Sequence, residues 1–555
     1  MRRAILNGLL ILALAGFAAG VEAHHDLAVR LAPAAGTLAV NDTVVFPATG
    51  ADSVRFLLHD GLNPRSETLG YALRRLERSP RPGDFPALPA GWRFPTDVPV
   101  ALYELSRTLE TSAEWRFTLV YEGPIRHPVT QAAAEYARGF GETPGIIAAE
   151  GAYLAGGSYW VPWFGPELIT FFLAVEVPAG WDAVSQGRRI RHEREGAARH
   201  ATWECPHPSE EIHLVAGPFT EYSRPAGPAV AMAFLRTPDP ALADRYLGVT
   251  ASYMDMYQKL IGPFPYEKFA LVENCWETGY GMPSFTLLGE KVIRFPFILH
   301  SSYPHELLHN YWGNGVYVDM AAGNWCEGLT AYLADHLIAE QRGQGEEYRR
   351  ATLQKYADYV NATNDFPLTA FRSRHDAASE AVGYGKSMML FHMLRRDIGD
   401  AAFTEALRSF YRDNRYRRAT FADFARAAGA AAGRDLQPFF DQWVTRAGAP
   451  VLRLLSAAAA PAGDGWRLAF RLAQAPGGAP FALDVPVAVT LEGEASPWRV
   501  TVPLPTAGAD FELDVPRRPL RLDVYPQFDL FRRLDRAEIP PPLSRAFGSC
   551  KFWLG

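Results

Sequence analysis

Ser301-Ser302-Tyr303-Pro304-His305-Glu306-Leu307-Leu308-His309 is the stretch on which the reading of the fold turns. Two serines and a proline ahead of an apolar run make a fair helix start. On a helix, positions i and i+4 share a face, so His305 and His309 present two imidazoles to one side. Such a pair can bind one cation through ring nitrogens at about 2 Å. Glu306 lies between them in sequence and can reach a water on the same metal. Trp312-Gly313-Asn314 reads as the stop of this helix, with a glycine at a C-terminal position.

A catalytic zinc site keeps three protein ligands and an open fourth position, so a third ligand is expected from another helix. Asn324-Trp325-Cys326-Glu327-Gly328-Leu329-Thr330-Ala331-Tyr332 places an acid at the start of an apolar helical run. Glu327 is the candidate, and the chain between it and His309 is long enough for a turn and a return. Cys326 points about 100° away around the helix and reads as a packing residue. Partners that orient the zinc histidines are expected. Asp319, Thr330 and Asp335 are all near enough in sequence, and the sequence does not choose among them.

From His305 to Tyr332 the chain resembles the aminopeptidase N family of gluzincins, which joins H-E-x-x-H to a zinc-binding Glu within an E-G pair and carries W-G-N after the second His. The spacer to Glu327 is one residue shorter than that family's usual length. The resemblance implies a tyrosine within a Y-x-K pattern that stabilises the oxyanion, and Tyr384-Gly385-Lys386 matches it. Gly156-Gly157-Ser158-Tyr159-Trp160 and Val177-Pro178-Ala179-Gly180-Trp181 look like the family's N-terminal β-domain. Ile261-Gly262-Pro263-Phe264-Pro265-Tyr266 looks like its entry to a thermolysin-like catalytic domain.

One family motif is broken. Aminopeptidases of this kind carry a G-x-M-E-N strand whose Glu binds the substrate's free α-amine. Here the region reads Tyr280-Gly281-Met282-Pro283-Ser284, so Pro283 and Ser284 stand where Glu and Asn would be. Gly281 and Met282 remain candidates for binding substrate. Pro283 has no amide hydrogen to offer an extended peptide. Glu273 or Glu277 could replace the missing amine anchor.

The rest of the chain is consistent with this reading. It has 555 residues, enough for several domains, and a net charge of −6, which argues against nucleic-acid binding. Arg2 and Arg3 precede an apolar run followed by Val21-Glu22-Ala23, the pattern of an export signal cleaved after Ala23; the competing reading is an uncleaved membrane anchor, since the run approaches spanning length. No later run is long enough to span a bilayer. Short β-branched and aromatic runs fill residues 24–225 and return in 450–539, flanking a mainly helical module over 226–449, with a tail over 540–555. The expected architecture is therefore multidomain α+β: an N-terminal β-sandwich or saddle, a thermolysin-like helical catalytic domain and a small C-terminal β-sandwich.

The expected function is zinc-dependent hydrolysis of peptide bonds by a metal-activated water. One zinc ion per chain would be held by His305, His309 and Glu327, with Glu306 as base and Tyr384 as oxyanion donor. The protein would be periplasmic or secreted, with peptides as its partners. The rival expectations are an inactive peptide-binding protein on the same scaffold and a non-peptide hydrolase.

Overall fold

The computed structural model describes residues 21–539 except 48–51, 86, 89–91, 109–113, 132–138 and 476–477. The expected export signal lies outside the described residues up to position 20, and the tail 540–555 lies outside them as well. The chain forms two compact units. One contains the residues up to Pro128 together with Pro144–Pro218, and the other contains Val129–Thr143 together with Phe219 onward. The boundary expected near residue 225 falls inside the second unit, because strand Thr220–Ala226 pairs along its whole length with Ala229–Leu235.

The first unit is built of strands. Val21–Ala32 lies in the middle of a seven-stranded sheet, antiparallel to Thr37–Phe46 and parallel to Leu168–Pro178. His25, Leu27, Val29 and Leu31 are buried while Asp26, Ala28 and Arg30 are exposed, the period of two that one buried face imposes. Pairing with Thr37–Phe46 begins at His24, opposite Val45, so a chain cut after Ala23 would keep all of those pairs. Ser53–His59, Val100–Arg107 and Tyr71–Leu76 form a three-stranded sheet, and four short strands form another. The strand read over residues 211–215 starts only at Leu214. Before it, Glu211 accepts the Gly156 N–H, and the Ile212 carbonyl accepts the Trp160 indole N–H.

The second unit opens with a five-stranded sheet in the order Thr220–Ala226, Ala229–Leu235, Lys268–Asn274, Phe285–Gly289, Gly279–Met282. Helix α1 (Pro240–Leu260) joins its parallel strands Ala229–Leu235 and Lys268–Asn274. It starts where Asp239 accepts the Leu242 N–H, with Pro240 in the first turn, where a missing N–H costs nothing. Leu242, Tyr246, Leu247, Thr250, Met254 and Tyr257 give it one buried stripe. All seven residues of Lys268–Asn274 are buried, as a parallel strand covered on both faces requires.

Two short helices follow, α2 (Ser302–Leu308) and α3 (Cys326–Ala331). The helical region expected from Tyr303 to Arg446 is more broken than its apolar spacing suggests. π-turns occupy Tyr332–His336 and Ala381–Lys386, and the helix Ser387–Asn414 is interrupted at Gly399. Two three-stranded sheets between Leu452 and Val524 form the C-terminal sandwich. Its buried Phe470, Leu472, Val487 and Leu504 continue the core of the helical module. After the sandwich the chain returns to the helices: the Phe531 ring lies 4.8 Å from Tyr356, and Asp529 pairs with Arg349 at 3.1 Å.

Candidate metal centre and active site

α2 has only seven residues, too few to stand alone, so packing must hold it. Tyr303, Leu307 and Leu308 are fully buried, and the Tyr303 hydroxyl lies 2.6 Å from Thr250 Oγ1 on α1. The opposite face carries His305 and His309, whose ring centroids are 4.8 Å apart. Beyond His309 the chain doubles back through Gly313, at φ +102°. It re-enters as α3, and Glu327 in the first turn of that helix comes back to the two rings.

Glu327 Oε2 lies 3.5 Å from His305 Nε2 and 3.6 Å from His309 Nε2. That oxygen is buried and makes no hydrogen bond. Two ligands tetrahedrally placed about 2 Å from one ion are themselves roughly 3.3 Å apart, so the spacing fits a shared divalent cation. Both Nδ1 atoms are already engaged. His305 Nδ1 donates to Asp335 Oδ2 at 3.0 Å, and His309 Nδ1 donates to the Trp312 carbonyl at 3.1 Å. With Nδ1 engaged, Nε2 is the nitrogen each ring leaves to the centre, and it is the one a metal would take once its proton is displaced. Burial opposes a charge on His305, yet Asp335 and Glu327 outweigh it and hold its pKa up at about 10. Burial likewise opposes charge on Glu327, but the His309 and His305 rings hold its carboxyl well below the usual range. The geometry can hold a metal, and the electrostatics favour positive charge at its centre.

Gly281 and Tyr384 flank this centre. A Cβ on Gly281 would press on Glu306 Oε2 and displace that carboxylate, so the strand Gly279–Met282 lies directly against the Glu306 side chain. The Tyr384 ring lies 6.3 Å from that of His305 and nearly parallel to it. Burial, with the nearby Glu327 carboxylate, drives the Tyr384 hydroxyl far above its ordinary pKa, so it remains a donor at neutral pH. The Arg374 guanidinium sits 5.5 Å from the same ring. Behind Tyr384, the fully buried Lys386 donates to the carbonyls of Arg446 and Gly448, and burial pushes its pKa down to about 8.

The broken motif has a clear geometry. Pro283 and Ser284 form the two-residue turn between Met282 and Phe285, with Ser284 at φ +66°. The Ser284 N–H donates to Asn310 Oδ1 at 2.7 Å, tying this turn to the residue after His309. Glu273 and Glu277 are both committed elsewhere. Glu273, 1% exposed, pairs with Arg294 and accepts the Arg236 N–H. Glu277 accepts the N–H groups of Lys291 and Val292.

Among the three candidates for orienting the histidines, Asp335 touches His305. Asp319 instead accepts the Ala321 N–H, and Thr330 Oγ1 lies 3.9 Å from Cys326 Sγ. Cys326 is buried in the core as expected, but its Sγ is also 3.4 Å from His309 Nδ1. That contact, Asn310 and Arg374 carry no signal in residue type alone.

Residues 301–443 match the model of the peptidase family M1 domain. Over that segment the chain is similar to the aminopeptidase N family of gluzincins. Aminopeptidase N of Lactococcus lactis is 36% identical over 157 residues, which cover 27% of this chain and 18% of that protein. The chain spans under a fifth of the length of each curated relative it matches. Among solved structures, aminopeptidase A of Legionella pneumophila in complex with aspartic acid aligns with a TM-score of 0.66 at 15% identity, covering 95% of this chain and 60% of that one. An M1 zinc metallopeptidase of Deinococcus radiodurans aligns at 0.57 and 19% identity, covering 78% and 95%. At these identities the structural likeness is one of fold.

Proposed function

We propose that the gluzincin centre hydrolyses peptide bonds, with one zinc ion per chain held by His305, His309 and Glu327. The observation that carries the reading is Glu327 Oε2: buried, without a hydrogen bond, and beside two imidazole nitrogens whose ring partners are already engaged. When bound, zinc supplies Lewis acidity and brings the pKa of water from about 15.7 toward about 7.

The chain's own residues supply the rest. The Glu306 carboxylate takes a proton from the attacking water and delivers it to the leaving amine nitrogen. The Tyr384 hydroxyl donates to the carbonyl oxygen as negative charge builds there. Asp335 and the Trp312 carbonyl keep both imidazoles in the required tautomer. Gly279–Met282 is the edge strand of its sheet, so an extended peptide can lie along it. With Pro283 and Ser284 in a turn and both nearby glutamates engaged, no carboxylate from this segment reads the substrate's α-amine.

Glu306→Gln is therefore expected to keep its zinc and lose at least about a hundredfold in kcat. Peptide cleavage at the wild-type rate in that variant would contradict the proposal. A mixed peptide library with free and acetylated N-termini should be cut at comparable rates, read by mass spectrometry. Strict dependence on a free amine would contradict the loss of the anchor. An inactive peptide-binding role would leave Glu306 and Tyr384 without purpose at the centre. We further propose export with cleavage after Ala23, for which the mature N-terminus of the periplasmic or secreted protein should be His24.

A further inference from the structure

The β-rich first unit contains a cavity of about 600 Å³, within the size range of small-molecule sites. Phe46, Phe85, Trp160, Trp163 and Phe164 form its aromatic walls. They brace one another: Phe164 lies 5.5 Å from Phe46, and Phe85 lies 4.9 Å from Trp163, centroid to centroid. Trp163 and Phe164 are only partly covered.

His25 also lines the cavity, and it is 1% exposed to solvent. It points to the inner face of the main sheet. On the neighbouring strand, Asp42 lies two residues from Val44, the partner of His25 in the ladder. His25 Nδ1 donates to the Asp42 carboxylate at 2.9 Å, and Asp42 is fully buried. That bond fixes the tautomer, so Nε2 is an acceptor. Among the described residues no hydrogen bond reaches Nε2. The ring is thus held by its Nδ1 bond at the edge of the cavity.

The charge around the cavity says which kind of partner. Asp84, Glu167, Glu210 and Glu211 line it together with a single guanidinium, that of Arg55. Arg55 already bridges Asp84 at 2.8 Å and Glu104 at 3.1 Å. Carboxylates and aromatic faces both attract cations, and a lone acceptor nitrogen needs an N–H donor.

We propose that this cavity binds an organic ammonium, a primary amine on an aromatic body. Its N–H donates to His25 Nε2, and its ring lies against Trp163 and Phe164. The site is separate in chemistry from peptide hydrolysis.

The probe is tryptamine, titrated by calorimetry into the full zinc-loaded protein. Saturable binding is expected, with indole-3-acetate weaker by at least about tenfold because a carboxylate replaces the ammonium. Trp163→Ala should weaken tryptamine by at least roughly fivefold while leaving zinc content and peptide hydrolysis unchanged. His25→Phe removes the acceptor nitrogen together with the donor to Asp42 while keeping an aromatic ring, and it should weaken tryptamine similarly. Where that variant also loses melting temperature, the Trp163→Ala result decides. No saturation up to about 10 mM tryptamine, equal affinity for the two probes, or wild-type affinity in Trp163→Ala would each overturn the assignment.

Discussion

His305 and His309 reach one point in space because four helical positions separate them, and residue order alone shows that much. Glu327 is legible for a similar reason: an acid heads an apolar run at the distance a return helix needs. The hydrogen bonds that aim the rings are not legible. Asp335 lies in the π-turn Tyr332–His336, whose register shift no pattern of residue types announces. Asp319 and Thr330 were equal candidates until that turn placed Asp335 3.0 Å from His305 Nδ1. Tyr384 is also carried by a π-turn, and resemblance rather than periodicity singled it out. Its proposed role as oxyanion donor gives a direct expectation. Tyr384→Phe removes the hydroxyl and leaves the ring, so kcat should fall roughly a hundred- to a thousandfold, with KM and zinc content near wild type. Steady-state kinetics showing an unchanged kcat would assign the oxyanion to another donor.

Short helices carry the centre, and glycines let them come close. A Cβ on Gly328 would overlap the side chain of Ser387, so α3 can rest on the helix Ser387–Asn414 only with glycine there. The pairing of Glu327 with Gly328 thus has a packing cause. Gly328→Ala should cost about 1–3 kcal/mol by overpacking, read from urea unfolding, and should weaken zinc binding because Glu327 shifts with its helix. A variant as stable as wild type would mean that α3 relaxes freely. The strand Gly279–Met282 shows the limit of motif reading. Its departure from the family pattern was plain in the letters. That Pro283 and Ser284 make a tight turn braced by Asn310 needed the positive φ at Ser284 and the bond from its N–H.

Across the whole molecule, the order β-rich, helical, β-rich follows from the change of period along the chain. The unit boundaries do not, because they depend on distant contacts. Val129–Thr143 lies within the β-rich stretch of sequence, yet its Gly141 N–H donates to the Glu277 carbonyl at 2.8 Å, and Trp276 donates back to the Gly141 carbonyl. Buried and half-buried histidines spread over the chain set its response to acid. Burial, aided by neighbouring His25, lowers His24 from 6.5 to about 4, and burial beside His127 does the same to His59. Burial lowers His336 further, to about 2, with help from His392 and Arg349. Between pH 6.5 and 4 the unfolded chain binds protons that the folded chain refuses, so stability should fall as pH drops through that window. Chelated protein isolates the effect. There the contribution of His305, whose pKa is raised to about 10, is already complete below 6.5 and adds no slope. A urea midpoint that stays flat from pH 6.5 to 4 would contradict the burial of these rings.

The most direct measurement is anomalous diffraction at the zinc edge from crystals of the purified protein. One peak per chain is expected, about 2 Å from Nε2 of His305, Nε2 of His309 and a carboxylate oxygen of Glu327. No peak among these three side chains, or a peak that leaves Glu327 out of reach, would contradict the account at its centre.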